Sequence, residues 1–133
     1  MPDFEFLIPK RPVSQQARRR ANLQGWKTYV REEAKKTWGG QTVRNIDLQL
    51  TLIYLCDHSP PDTDNIVKPI QDALVGLVFE DDSLITDVDS HRRFLNSTFD
   101  LTQLPQLVLD GIVSQQECVY VKVSRSLPLG EYL

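Results

Sequence analysis

Residues 46–56 constrain the fold more than any other stretch of the chain. Ile46, Leu48, Leu50, Leu52 and Tyr54 alternate with Asp47, Gln49, Thr51 and Ile53. A period of two sends successive side chains to opposite sides, so the segment is a strand whose apolar face needs a covering layer. The next apolar pattern has a different period. Ile66, Ile70, Ala73, Leu74 and Leu77 recur at helical spacing within residues 65–77, which predicts a helix that buries this stripe. His58-Ser59-Pro60-Pro61 separates the two as a loop, because each residue before a proline is pushed out of the helical region. Residues 83–95 return to alternation through Leu84, Thr86, Val88, Ser90, Arg92 and Phe94.

The flanking segments follow the same logic. Phe4, Phe6 and Ile8 make a short first strand that Pro9 and Pro12 end. Ser14 is placed to cap a helix over residues 15–38, with Ala17, Ala21, Trp26, Tyr29, Val30 and Ala34 as a partial stripe. Gly25 is a kink point, and Gly39 and Gly40 are the stop. Residues 96–103 read as a loop, residues 104–115 as a helix opening at Pro105, and residues 117–124 as a closing strand through Val119, Val121 and Val123. The order β-α-β-α-β-α-β predicts an α/β (α+β) fold, a mixed sheet packed with helices. Residues 1–133 read as a single domain, with no repeat or linker.

A chain of this length buries roughly two-thirds of its unfolded surface and needs no disulfide. Cys56 and Cys118 sit in apolar, strand-like stretches without CxxC or zinc spacing, so buried reduced thiols are expected. No apolar run approaches the roughly 18 residues of a membrane helix. Residues 1–8 lack the basic start of a secretory signal. The expectation is a cytoplasmic protein with no membrane partner and no nucleotide cofactor. The net charge of −3 argues alone against nucleic-acid binding, but the distribution is uneven. Residues 10–36 hold nine bases and two acids, a balance of +7, whereas residues 57–89 hold nine acids and one base, a balance of −8. Such segregation suits a polyanion-binding face beside a cation-binding pocket, or two solvated faces that attract one another.

The acidic half carries the chemistry. Asp62 and Asp64 stand two apart in extended chain before a helix, which puts their side chains on one side. Lys68 and Asp72 follow at intervals of four, on the face opposite Ile66 and Ile70. A turn over Glu80-Asp81-Asp82 can return Asp82 toward Asp62 and Asp64. Three converging carboxylates repel one another, and a hard divalent cation, Mg²⁺ or Mn²⁺, relieves that repulsion. Each residue also has a plainer reading. Asp62 or Asp64 can be a helix cap, and Asp64, Lys68 and Asp72 an exposed ion-pair ladder. An EF-hand is excluded, since its glycine and final glutamate positions hold Val67 and Ala73.

The pattern Asp62-x-Asp64-Asn65-x-x-Lys68-x-x-x-Asp72-Ala73-Leu74, then Gly76 and Asp81-Asp82, resembles the RusA family of Holliday junction resolvases. The likeness is strongest over residues 60–90. It continues more weakly in Phe6-Leu7-Ile8-Pro9, Pro12-Val13-Ser14 and Val119-Tyr120-Val121-Lys122-Val123. The resemblance implies a homodimeric mixed α/β fold and Mg²⁺-dependent resolution of four-way junctions by paired symmetric nicks. It places the catalytic carboxylates, which are also the metal ligands, on Asp62, Asp64 and Asp82, and the essential lysine on Lys68. Asp81 is the weaker of the paired aspartates, and Asp72 a partner for Lys68. The family's run of arginines before the first aspartate is replaced here by Asp57-His58-Ser59-Pro60-Pro61, and residues 96–116 read as an added loop and helix.

Backbone neutralisation must then come from elsewhere. Arg11, Arg18, Arg19, Lys27, Arg92 and Arg93 are the candidates for contact with branched DNA. Trp26, Tyr29 and Trp38 are expected in the core rather than inserted into a junction. Two rival functions are a junction-binding module without catalysis and a magnesium nuclease for flaps or other branched DNA.

Overall fold

Strand β2 (Leu48–Cys56) is paired along both of its edges. It runs parallel to β3 (Ile85–Phe94) with Leu52 opposite Ser90, and antiparallel to β4 (Cys118–Arg125) with Leu52 opposite Val121. β1 (Phe4–Ile8) adds to the far side of β4, antiparallel, so the sheet order is β1-β4-β2-β3. The parallel pair needs a long crossover, and helix α2 (Thr63–Leu74) provides it. Helices α1 (Arg20–Lys35) and α3 (Gln106–Ser114) and three short 3-10 turns complete a single small α+β domain. The computed structural model describes residues 2–133.

The period of two sorts β2 between two cores. Leu48, Leu50, Leu52, Tyr54 and Cys56 join Phe4, Phe6, Ile8, Val119, Val121 and Val123 on one face. Trp26, Val30 and Ala34 of α1 and Ile66, Ile70, Ala73 and Leu74 of α2 cover them. On the other face Leu55 and Cys118 pack with Leu7, Ile53 and Ile112 under α3. Both thiols are free and buried, as expected. Burial pushes the Cys118 thiol up to about 11, and Cys56 also upward. Among the described residues no helix is long and apolar enough to cross a membrane.

Two expectations change, both in α1. α1 begins at Arg20 rather than residue 15, because the Ser14 hydroxyl accepts the Gln16 N–H at 2.9 Å and closes a local turn. At the actual start Arg19 offers no side-chain cap, and the first turn carries no acid. Gly25 lies inside an unbroken helix, and the buried stripe is Leu23, Trp26, Val30 and Ala34, with Ala21 exposed. Strand β3 forms within the stretch expected of it and contains no fully buried residue. Val88 and Phe94 stay 48% and 41% exposed at this edge of the sheet, whereas the opposite edge strand, β1, buries Phe4, Phe6 and Ile8.

α2 contains Pro69 at an interior position. A proline there has no N–H for the carbonyl four residues earlier, which belongs to Asn65. The Gln15 backbone N–H takes that carbonyl at 2.8 Å. The segment between β1 and α1 is thereby fastened to the first turn of α2. Past the helix, Gly76 adopts φ +79, and its N–H donates to Phe79 at 2.8 Å, turning the chain toward Asp81 and Asp82.

The two helical glycines give a test of packing. A Cβ on Gly25 meets nothing within 4 Å, whereas one on Gly111 would lie 2.9 Å from Cys118 Sγ and 3.1 Å from Leu55 Cδ1. Gly25→Ala should stabilise the protein by about 1 kcal/mol. Gly111→Ala should lose that gain to overlap and fall at or below the parent in a urea unfolding midpoint.

Candidate active site

The loop leaving β2 delivers Asp62 to the N-cap of α2 and Asp64 to its first turn, both exposed. Asp62 makes no capping hydrogen bond with its side chain. Neither carboxylate has an ion-pair partner among the described residues. Asp64 suits the positive end of the helix dipole. One turn on, about 6 Å along the axis, Lys68 projects from the same face.

Lys68 is the centre of the arrangement. Its Nζ donates to Asp72 Oδ1 at 2.7 Å and to Asp82 Oδ2 at 3.1 Å. Asp72 Oδ2 also receives Lys27 Nζ of α1 at 3.2 Å. Charges therefore alternate along Lys27, Asp72, Lys68 and Asp82. The hydrogen bonds to Asp72 and Asp82 raise the Lys68 pKa above its ordinary value. The turn before β3 sets Asp82. Asp81 accepts the Ser83 hydroxyl at 2.5 Å and the Ser83 N–H at 3.3 Å, and these bonds hold its carboxyl below the usual range. Asp81 is thus engaged in capping its own turn, while Asp82 faces α2, where Gln71 Nε2 donates to its backbone carbonyl at 3.4 Å.

The structure does not gather Asp62, Asp64 and Asp82 at one point. Among the described residues no group of three or more His, Cys, Asp or Glu side chains stands close enough to hold a metal ion. The reason is the layout. The carboxylates are strung along one helix face, and the Lys68 ammonium stands between that face and Asp82. The donor chemistry nevertheless fits Mg²⁺, which uses one or two carboxylates and completes its shell with waters and substrate phosphate. Asp62 and Asp64 are such a pair of hard oxygen donors.

The basic candidates separate. Arg11 is exposed yet engaged: Nη1 donates to the His58 carbonyl at 2.9 Å and to Glu117 Oε1 at 3.1 Å, and Nη2 to the Ser59 carbonyl at 2.5 Å. Lys27 is engaged by Asp72. Each of these two cations already has a carboxylate partner within the fold. Arg92 lies opposite Tyr54, and paired residues share a sheet face, so it is on the α2 side. Arg93 lies opposite Leu55, on the α3 side, beside Ile53, His91 and Phe99. Arg18 and Arg19 are exposed just before α1. Sequence reading missed Glu117. It accepts the Asp57 N–H at 2.8 Å and the Tyr54 hydroxyl at 3.1 Å as well as Arg11. An acid at the head of an apolar strand carries no periodic signal that would have singled it out.

A family model described as Endodeoxyribonuclease RusA matches residues 9–99, which include Asp62, Asp64, Lys68 and Asp82. No curated protein matches the chain.

The Lys68 ion pairs have a definite pH signature. A raised folded-state pKa stabilises the fold below the unfolded value and loses that effect only as pH climbs through the raised one. Lys68→Met should therefore cost a constant amount from about pH 6 to pH 9, with the deficit closing above 10.5. Lys68 is half exposed, so the cost should not exceed about 1 kcal/mol in chemical unfolding.

Proposed function

This chain belongs to the RusA family of endodeoxyribonucleases, and we propose that it resolves four-way DNA junctions by Mg²⁺-dependent paired nicking at Asp62, Asp64, Lys68 and Asp82. The observation that carries this reading is Lys68, which joins α2 to an aspartate fourteen positions away. Asp62 and Asp64, which precede Lys68 on α2, have no ion-pair partner among the described residues.

A bound Mg²⁺, or Mn²⁺ in its place, supplies Lewis-acid polarisation of the scissile phosphate and a water of lowered pKa. Asp62 and Asp64 would hold it, while Asp82 keeps its pairing with Lys68 beside them on the reaction side of α2. Lys68 stays protonated through the neutral range and presents a fixed positive charge to the phosphate as negative charge grows on it. Asp72 and Lys27 keep that ammonium on the helix face. Asp82 repels DNA on its own, so phosphate and Asp82 compete for Lys68.

Arg18, Arg19 and Arg20 crowd cationic charge at the positive end of the α1 dipole, which disfavours the helix start. A DNA phosphate placed there would relieve that strain. The Gln15–Asn65 bond ties the chain just before this basic segment to the first turn of α2, which supports a DNA path running from these arginines toward the metal carboxylates. Arg92 adds a cation on the same side of the sheet. Such contacts read phosphate positions and junction shape more than base identity. Two nicks in opposing strands require two copies related by symmetry, hence a homodimer. The cytoplasm is the expected setting.

The deciding assay incubates the protein with a synthetic four-way junction, a flap and plain duplex, with and without Mg²⁺. Symmetric nicks on the junction alone, dependent on the ion, are expected. Nicking of the flap in preference, or mobility shifts without any cut, would point to the rival functions. Asp82→Asn should abolish nicking and leave junction binding equal or tighter; nicking at the parent rate would remove Asp82 from the site. Replacing both Arg18 and Arg19 by Gln should weaken binding to all junction sequences alike. The slope of log affinity against log salt should fall by about one for each lost phosphate contact.

A further inference from the structure

We propose that Arg11 and Glu117 form a clamp that positions Asp62 and Asp64, making Arg11 a positioning residue rather than a DNA contact. The inference rests on the site reading above and deepens it.

Among the described residues the carboxylates of Asp62 and Asp64 have no ion-pair partner, so their placement depends on the backbone that carries them. That backbone is held on both sides. Upstream, one guanidinium takes the consecutive carbonyls of His58 and Ser59, at 2.9 and 2.5 Å. The same guanidinium reaches both Glu117 oxygens, at 3.1 and 3.2 Å. Glu117 completes the grip through the Asp57 N–H at 2.8 Å. It is itself steadied by the Tyr54 hydroxyl, whose burial and proximity to Glu117 keep it protonated. The planar fork of arginine suits this set of acceptors, and a lysine cannot reproduce it.

Two further features make the grip matter. Ser59 adopts φ +45, a left-handed conformation that is unfavourable for a residue with a Cβ. A loop strained in this way relaxes unless held. Between Ser59 and Asp62 stand only Pro60 and Pro61, whose rings fix φ, so a displacement at Ser59 is passed on to Asp62 with little slack. Downstream, the Gln15 N–H holds the Asn65 carbonyl. Asp62 and Asp64 thus lie between two anchors, and both anchors reach back to the same short segment, residues 11–15.

The test compares Arg11→Gln, Arg11→Lys and Glu117→Gln with the parent and with Asp82→Asn. It reads kcat and KM on a four-way junction at saturating Mg²⁺, amide exchange at Asp57, and thermal unfolding. Arg11→Gln should lower kcat roughly tenfold to a hundredfold, with KM for the junction within about twofold. It should speed exchange at Asp57 and leave unfolding cooperative. Arg11→Lys and Glu117→Gln should fall between it and the parent, and they carry the test if Arg11→Gln does not fold. Parent-like kcat in these variants overturns the clamp. So does a raised KM with a reduced salt slope and unchanged kcat, which would make Arg11 a DNA contact. If Asp82→Asn nicks normally, the site reading has failed. If Asp82→Asn is inactive while Arg11→Gln keeps parent kcat, the clamp alone has failed.

Discussion

Everything in this fold is referred to β2, because that strand has no free edge and no bare face. Its backbone groups are consumed by β3 on one side and β4 on the other. Its side chains are divided between a core under α1 and α2 and a smaller one under α3. A strand held in this way cannot shift register without moving its apolar set to the wrong face. The loop that leaves it, and the helix that the loop begins, inherit that rigidity. Sites built on such elements are more accurately placed than sites on free loops.

Electrostatics then shapes what the rigid frame presents. Asp64, Lys68, Asp72 and Asp82 would be an unfavourable gathering if the lysine were removed, since like charges would face each other across a short gap. With Lys68 between Asp72 and Asp82, and Lys27 on the far side of Asp72, each carboxylate in the chain of contacts has a cation beside it. Asp62 and Asp64 are the ones left out, at the end of the helix where a cation could approach from solvent. The division follows from helical geometry: residues four apart share a face, and only the middle of that face is within a lysine's reach of the turn at Asp82.

Much of this was legible in the residues. The alternation through Leu48, Leu50, Leu52 and Tyr54 and the helical spacing of Ile66, Ile70, Ala73 and Leu74 gave β2 and α2, because both patterns are long and lie on buried elements. The spacing of Lys68 and Asp72 led directly to their ion pair. Edges and ends were harder. The alternation in residues 83–95 marks a strand, but it does not say how deeply the strand is covered: of the two edge strands, β1 is buried and β3 is not. Ser14 looked like a helix cap because a cap and a local turn use the same hydroxyl. Arg11 counted as one base among nine, since nothing nearby in sequence announces a partner more than a hundred positions away at Glu117. A folded-back turn does bring Asp82 to the face of α2, but there it meets the Lys68 ammonium, which occupies the space where Asp62 and Asp64 would have to join it.

Pro69 shows how local and tertiary demands can point in opposite directions. Judged as a helix residue, it is a defect that any stronger helix former would repair. Judged from Gln15, it is a vacancy kept open for a neighbour, because the carbonyl it leaves alone is the one that the incoming segment grips. An effort to harden this protein by improving its helices one position at a time would begin by mending that defect. It would then set two donors competing for one acceptor, and the contest would be decided a single turn from Asp62 and Asp64.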